Sequence, residues 1–238
     1  MHTLLLRLEG PMQSWGTSSR FTQRDTGPEP SKSGVIGLLC AALGKPRAEE
    51  PGQSERWPPL ADLANLQMGV RIDRAGSVGV DFQTAGGGSM AGQKYGVAHV
   101  HGGLFGSVMS HRYFLQDASF LVGLSGADRG LLERLHLAVA APVWPLYLGR
   151  KSYVPSVPPF VKDGLVDVDL RTAFATYPLA PGADEAVRVV LEEATPQGSE
   201  PRMDQPLDFA RRLFGRRYVR VEPLSALRAD GEEVPPCI

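Results

Sequence analysis

Residues 3–9, TLLLRLE, carry clustered and partly alternating apolar positions closed by Gly10 and Pro11, a pattern that predicts a strand. A loop rich in Gly, Pro, Ser and Thr follows and holds Trp15, Arg20, Phe21 and Arg24. Over residues 33–43, Val35, Ile36, Leu38, Leu39 and Leu43 cover most sides of a helix, so this helix is expected to be buried. Residues 48–59 turn polar, rich in Glu and Pro, and read as a linker; residues 66–73 return to strand character. Residues 113–124, YFLQDASFLVGL, predict one long strand, and residues 128–139 an amphipathic helix. Residues 141–158 predict a further strand that runs into a Gly-Arg-Lys-Ser loop. Shorter β segments are expected at 164–170, 186–191 and 216–221.

Between the second and third strands, residues 76–112 contain GGGSMAGQKYG and HVHGGLFG. So many glycines argue against a packed core, because ordering them costs more entropy than they return in buried surface. The segment reads as a projecting arm or hairpin ordered by a partner. The order strand, helix, strand, insertion, strand, helix, strand fits an α+β, ferredoxin-like βαββαβ sheet over residues 1–160. Residues 161–238 then form a smaller β-rich domain. RNA-recognition modules share this sheet, but the fold alone does not assign a function.

The formal net charge is −1, which does not announce a nucleic-acid binder, but the distribution changes the picture. Asp and Glu are absent from residues 10–24, 30–48, 82–116 and 134–162, windows that hold Arg20, Arg24, Lys32, Lys94, Arg112, Arg150 and Lys151. A near-neutral chain can therefore own a positive groove. The two cysteines, Cys40 and Cys237, form no CxxC pair, which argues against a disulfide framework or a zinc knuckle. No basic-then-apolar leader opens the chain and no apolar run approaches a membrane span, so a cytoplasmic protein without a membrane partner is expected.

Two clusters carry candidate chemistry. At the start of the first helix stand Ser31, Lys32, Ser33 and Gly34, where unpaired backbone N–H groups and the positive end of the dipole suit a phosphate. An ordinary Ser N-cap explains the same residues, although Ile36 stands where a Glu or Gln would close a capping box. The GxxxxGK[ST] pattern is missing, so nucleotide hydrolysis is not expected. Gly149, Arg150, Lys151 and Ser152 form the second cluster, two adjacent cations with no nearby acid to pair them. After the first strand, Gln13 is a candidate RNA contact, while Trp15 either stacks a base or pins its loop to the core. On the arm, Lys94, His111 and Arg112 are candidate RNA contacts, and Met109 either wedges against a base or packs. His99 and His101 alternate, but no carboxylate or thiol lies close enough in sequence to complete a metal set. Neither metal nor cofactor is expected. For Arg211, Arg212, Arg216, Arg217 and Arg220, RNA binding and surface salt bridges are equal readings.

RLEGPMQSWG, PSKSGVIGLLCAALG, YFLQDASFLVGL, PLYLGRKSYVP and FGRRYVRV occur in this order along nearly the whole chain, with the weakest match over residues 163–208. In these motifs the chain resembles the CasD family, the subunits that hold the 5′ handle of CRISPR RNA (crRNA) in type I-E Cascade, members of the RAMP superfamily. The resemblance implies a non-catalytic, RNA-binding subunit of a ribonucleoprotein. It implies contacts with backbone-forming RAMP subunits and with the large subunit, and an indirect role in recognising target DNA. It also implies a thumb-like hairpin over the RNA, for which the Gly-rich arm is the candidate. The competing reading is a metal-independent endoribonuclease that cuts repeat RNA, for which His111, Tyr113, Lys94 and Lys151 supply suitable residue types. A generic anion-binding protein leaves the long arm without a purpose.

Overall fold

In chain order the elements are β1 (His2–Glu9), β2 (Met12–Gln13), β3 (Gln23–Arg24), α1 (Lys32–Leu43), α2 (Leu60–Asn65), β4 (Gln67–Arg74) and β5 (Ser77–Gly86). The arm then adds β6 (Gly88–Met90), β7 (Gln93–Tyr95), β8 (Val97–Ala98), β9 (Leu104–Phe105) and β10 (Ser107–Gln116). After it come β11 (Ser119–Gly126), α3 (Arg129–Ala140), β12 (Phe160–Val166), α4 (Leu170–Thr176), β13 (Arg188–Glu193), β14 (Glu200–Asp208), β15 (Leu213–Pro223) and a 3-10 turn, Leu224–Leu227. The computed structural model describes residues 1–16, 22–49, 52, 55–90, 93–98 and 103–227; the side chains of 88–90, 93–95, 98 and 104–105 are also outside the description.

β1 is apolar on both faces because both are covered. Leu4, Leu6 and Leu8 join the core under α1 and α3, while Leu5 joins a second core with Leu170 and Phe174 of α4. Each buried leucine contributes roughly 1.5–3 kcal/mol. β1 lies inside a seven-stranded antiparallel sheet of order β12-β1-β11-β4-β13-β15-β14. Strands from both sides of residue 160 thus hydrogen-bond into one sheet. α4 sits close to this sheet over a pair of glycines. Gly69 and Gly123 are register partners, and a Cβ on Gly123 would meet Leu170 Cδ1 at 2.3 Å.

Three sequence expectations need correcting. Residues 113–124 are not one strand: the chain breaks at Asp117, whose φ is 54°, and crosses from a smaller sheet (β10) to the large one (β11). Asp is among the few residues that tolerate that backbone region. Residues 141–158 form no strand, because Pro142, Pro145, Pro155 and Pro158 remove ladder donors. The strand beside β1 is instead β12. Residues 164–170 are not one β segment either: β12 ends at Val166 and α4 begins at Leu170, capped by Asp169, while the helix α2, between the polar linker and β4, went unread.

The smaller sheet carries the base of the arm. β5 and β10 pair antiparallel from Ser77↔Gln116 to Gly86↔Ser107, a long two-stranded ribbon. β2 pairs with the inner end of β10, and β3 pairs with it in parallel, His111 opposite Gln23 and Arg112 opposite Arg24. Among the described residues, no helix is long and apolar enough to cross a membrane. Cys40 is buried in α1, and burial pushes its thiol up to about 11; Cys237 lies outside the described residues.

Candidate nucleic-acid interface

The helix start that the sequence offered to a phosphate is already filled by an anion of the protein itself. Ser31 caps α1, its hydroxyl accepting from Gly34 N, and Lys32 N donates to Asp204 Oδ2 at 2.7 Å. Asp204, on β14, also holds Arg217 through two bonds of 2.7 and 3.0 Å. The Lys32 ammonium is buried and donates to both carboxylate oxygens of Glu192 at 2.9 Å. Burial lowers the Lys32 pKa, against the raising pull of Glu192. Beside it, burial raises that of Glu29 despite Arg202. Lys32 is therefore corrected from a phosphate contact to an internal ion-pair partner, and Ser31 to a structural cap. Ser33 and Gly34 are half-buried in the first turn.

Gln13 and Trp15 are also internal. Gln13 Nε2 donates to Leu8 O and Ala118 O, at 3.2 and 2.8 Å, and its Oε1 accepts from Trp15 Nε1. Trp15 is 2% exposed and lies against Gly34, so the core reading of its indole holds. A buried amide and indole satisfying each other explain why both stay inside. Arg217 joins this internal class, and Arg220 pairs with Glu193 at 3.4 Å.

What the fold does assemble is an arginine cleft. Ser14, Gly16, Arg24, Asp25, Arg112, Gly149 and Arg150 enclose about 430 Å³. Arg24 and Arg112 are register partners on β3 and β10, so two like charges stand side by side. Such a pair is unfavourable unless an anion sits between them. Among the described residues, Asp25 is the one acid lining the cleft, and Asp81 on β5 stands opposite Arg112 just outside it, so cations outnumber acids there. Arg150 reaches the same place from a turn far along the chain. Its guanidinium donates to Tyr153 Oη at 2.8 Å and to Arg24 O at 3.1 Å, and lies 5.3 Å from the Tyr153 ring centroid. Gly149 makes the approach possible: its φ is 91°, and a Cβ there would fall 1.8 Å from Ser14 O. Lys151 and Ser152 are exposed beside it.

Strand alternation divides the arm residues. Arg112 and Ser110 share one face of β10, with Arg112 Nε donating to Ser110 Oγ at 3.1 Å. Met109, His111 and Tyr113 are exposed on the other face, where His111 meets the Phe82 ring edge-on at 5.3 Å. The cleft thus gathers Arg24, Arg112 and Arg150 and leaves Met109 and His111 outside it. The Lys94 side chain, like Arg20, Phe21, His99 and His101, lies outside the described residues. Among the described residues, no group of three or more His, Cys, Asp or Glu is placed to hold a metal ion. Sequence reading missed Tyr153, which orients Arg150; its only signal was the Arg-x-x-Tyr spacing.

The family described as CRISPR-associated protein (Cas_Cas5) matches residues 3–220. The chain belongs to this Cas5 family. It is 33% identical over 159 residues to the CRISPR system Cascade subunit CasD of Escherichia coli (strain K12), an alignment covering 63% of this chain and 65% of that relative. The matched region thus spans less than two thirds of the relative's length. Among solved structures, a Cas protein crystal structure shares 46% identity with a TM-score of 0.72, over 93% of this chain and 94% of the other. A chain of a CRISPR RNA-guided surveillance complex shares 33% identity with a TM-score of 0.73, over 93% and 89%. The mixed, sheet-dominated fold described above is shared with these two solved structures.

Proposed function

We propose that this Cas5-family chain is a subunit of a Cascade-type CRISPR surveillance complex that binds the 5′ handle of mature crRNA without cutting it. The observation that carries the reading is the registered pair Arg24 and Arg112 with Arg150 brought against them. Three guanidinium groups converging from distant segments, with Asp25 and the β5 residue Asp81 opposite Arg112 as the neighbouring acids, suit successive phosphates of one strand. The relatives named as a Cascade subunit and a surveillance-complex chain supply the biological setting. In this reading Lys151 and Ser152 extend the track, and Lys94, Met109 and His111 meet RNA along the arm. The strand order β12-β1-β11-β4 with α1 and α3 supports a ferredoxin-like unit whose last strand, β12, carries it past residue 160 to Val166, and the β5–β10 ribbon acts as the thumb. The segment after β12 is the accessory part, and its Asp204 and Glu192 supply the carboxylates that neutralise Lys32. Partners are the crRNA, the RAMP backbone subunits and the large subunit, with target DNA met only through them, in the cytoplasm.

A non-catalytic role is supported by the arm's two faces: His111 and Tyr113 point away from the face that presents Arg112, so an imidazole at that position is not aimed at a phosphate in the cleft. The test is binding of labelled handle RNA across a salt series. Arg112→Ala with Arg150→Ala should weaken binding and flatten the slope of log K against log salt by roughly 0.7 per lost phosphate contact. An unchanged slope removes the cleft from the interface. Incubation with repeat RNA without metal should return it intact; a discrete product lost in His111→Ala would instead make the chain a nuclease.

A further inference from the structure

A groove runs along the outer side of α1 and encloses about 440 Å³, within the range of small-molecule sites. Gly37 and Ala41 form its floor. Trp144 and Tyr147 stand on one wall, Phe209 and Phe214 on the other, and Arg47 and Arg212 reach it as exposed cations. Among the described residues, no Asp or Glu lines it. The fold builds both walls. Val143 N and Trp144 N donate to Ala42 O and Ala41 O, at 2.9 and 3.2 Å, taking up carbonyls of the last turn of α1. These bonds fix the segment carrying Trp144, yet its side chain stays 48% exposed. The opposite wall is the turn between β14 and β15, where Arg212 holds a φ of 56°, a conformation non-glycine residues seldom adopt. Gly149 lines both this groove and the arginine cleft, so bare backbone forms the saddle between them.

We infer that the groove is a nucleobase subsite, which takes one unstacked base of the single strand whose phosphates lie in the arginine cleft. The inference rests on the RNA-binding reading above and adds where a base goes. Aromatic walls offer stacking surfaces to any base, and Arg47 and Arg212 offer donors and a positive field, while Lys45, which also lines the groove, is paired with Glu49 at 2.6 Å. Continuity over Gly149 commits the occupant to the strand already in the cleft rather than to a separate ligand.

The test uses the full chain and a labelled single-stranded RNA of about ten nucleotides from the 5′ part of the repeat, with a second set carrying one abasic position each. Wild type should lose about tenfold in affinity at one abasic position, the scale of one stacked base. Trp144→Ala should lose about tenfold on intact RNA, nothing further on that one abasic RNA, and keep the wild-type salt slope. Gly37→Leu fills the groove from a helix position where leucine is a good helix former, and should reproduce the loss. Arg212→Gly, which relieves the positive φ, should keep the thermal midpoint and weaken binding. If Trp144→Ala and Gly37→Leu bind every RNA like wild type while the salt slope persists, the groove holds no base and the cleft reading stands alone. If Trp144→Ala loses affinity equally at every abasic position, the effect is general and the subsite is also overturned. A flat salt response in wild type would instead overturn the RNA-binding reading itself.

Discussion

At Asp73 a fully buried carboxylate holds three partners. Arg71 donates at 2.6 and 3.0 Å, Arg7 at 2.6 Å and Ala180 N at 3.0 Å. The same Arg71 donates to Phe174 O, Tyr177 O and Pro178 O, which ties the end of α4 to the sheet. Burial pushes the Asp73 carboxyl up, but the hydrogen bonds and charges of Arg71 and then Arg7 outweigh it, leaving the pKa below its ordinary 3.8. A depressed folded-state pKa means stability present above the unfolded value and lost as the pH falls through the folded one. Urea unfolding followed against pH should therefore show an acid limb below about pH 4. Asp73→Asn should flatten that limb and cost about 3–5 kcal/mol at neutral pH, because two guanidinium groups lose their counter-charge. A variant as stable as wild type would show the network to be idle. Lys32 teaches a related lesson. Its place at a helix start was legible, but its partners Asp204 and Glu192 lie 172 and 160 residues away, and no local pattern announces them.

Among the elements, α4 depends on what the sheet lacks. Gly69 and Gly123 sit between Leu5 and Leu191 in one cross-strand row, and Phe174 and Leu170 fill the space their missing side chains leave. Gly123→Ala should destabilise the protein by about 1–3 kcal/mol through overpacking, measured by urea unfolding, whereas Gly106→Ala, with nothing within 4 Å, should have little effect. Equal stability of the two variants would deny the close approach. β1 and β4 were legible as short apolar runs buried on both faces, and α1 and α3 by their helical spacing of apolar residues, whereas β11 was merged with β10 into one run. The proline-rich 141–158 segment was misread because apolar residues such as Val143, Trp144 and Val154 stand exposed there, so hydrophobicity signalled a surface rather than a buried strand. The paired ribbon within the Gly-rich stretch was legible only as a projecting arm. Its strands are mostly exposed, with Val78, Val80 and Phe82 open on one face, so burial leaves no sequence rhythm to fix the register.

For the whole molecule, the arm and the body are separable by their cores. The large sheet buries its apolar residues with α1, α3 and α4, while among the described residues the main core reaches the ribbon near its base, at Leu115 and Phe114. Replacing residues 87–103 with a short Gly-Ser turn should leave a single cooperative thermal transition within a few degrees of wild type, yet weaken RNA retention and complex assembly. Loss of that transition would make the arm part of the core. A net charge of −1 hides the arginine cleft because its acids are placed elsewhere: Asp204, Glu192 and Asp73 each face a buried cation. The residue order alone pointed to α1, α3 and the strands β1 and β4, and marked the arm and the acid-free basic loops, since each follows from local apolar pattern and composition; α2 and α4 were not read. Which cations stay open to a ligand was decided in three dimensions. Lys32 and Arg24 look alike in a string of letters, but folding brings one against two distant carboxylates and sets the other in register with Arg112 beneath Arg150, and charge pairing depends on separation in space.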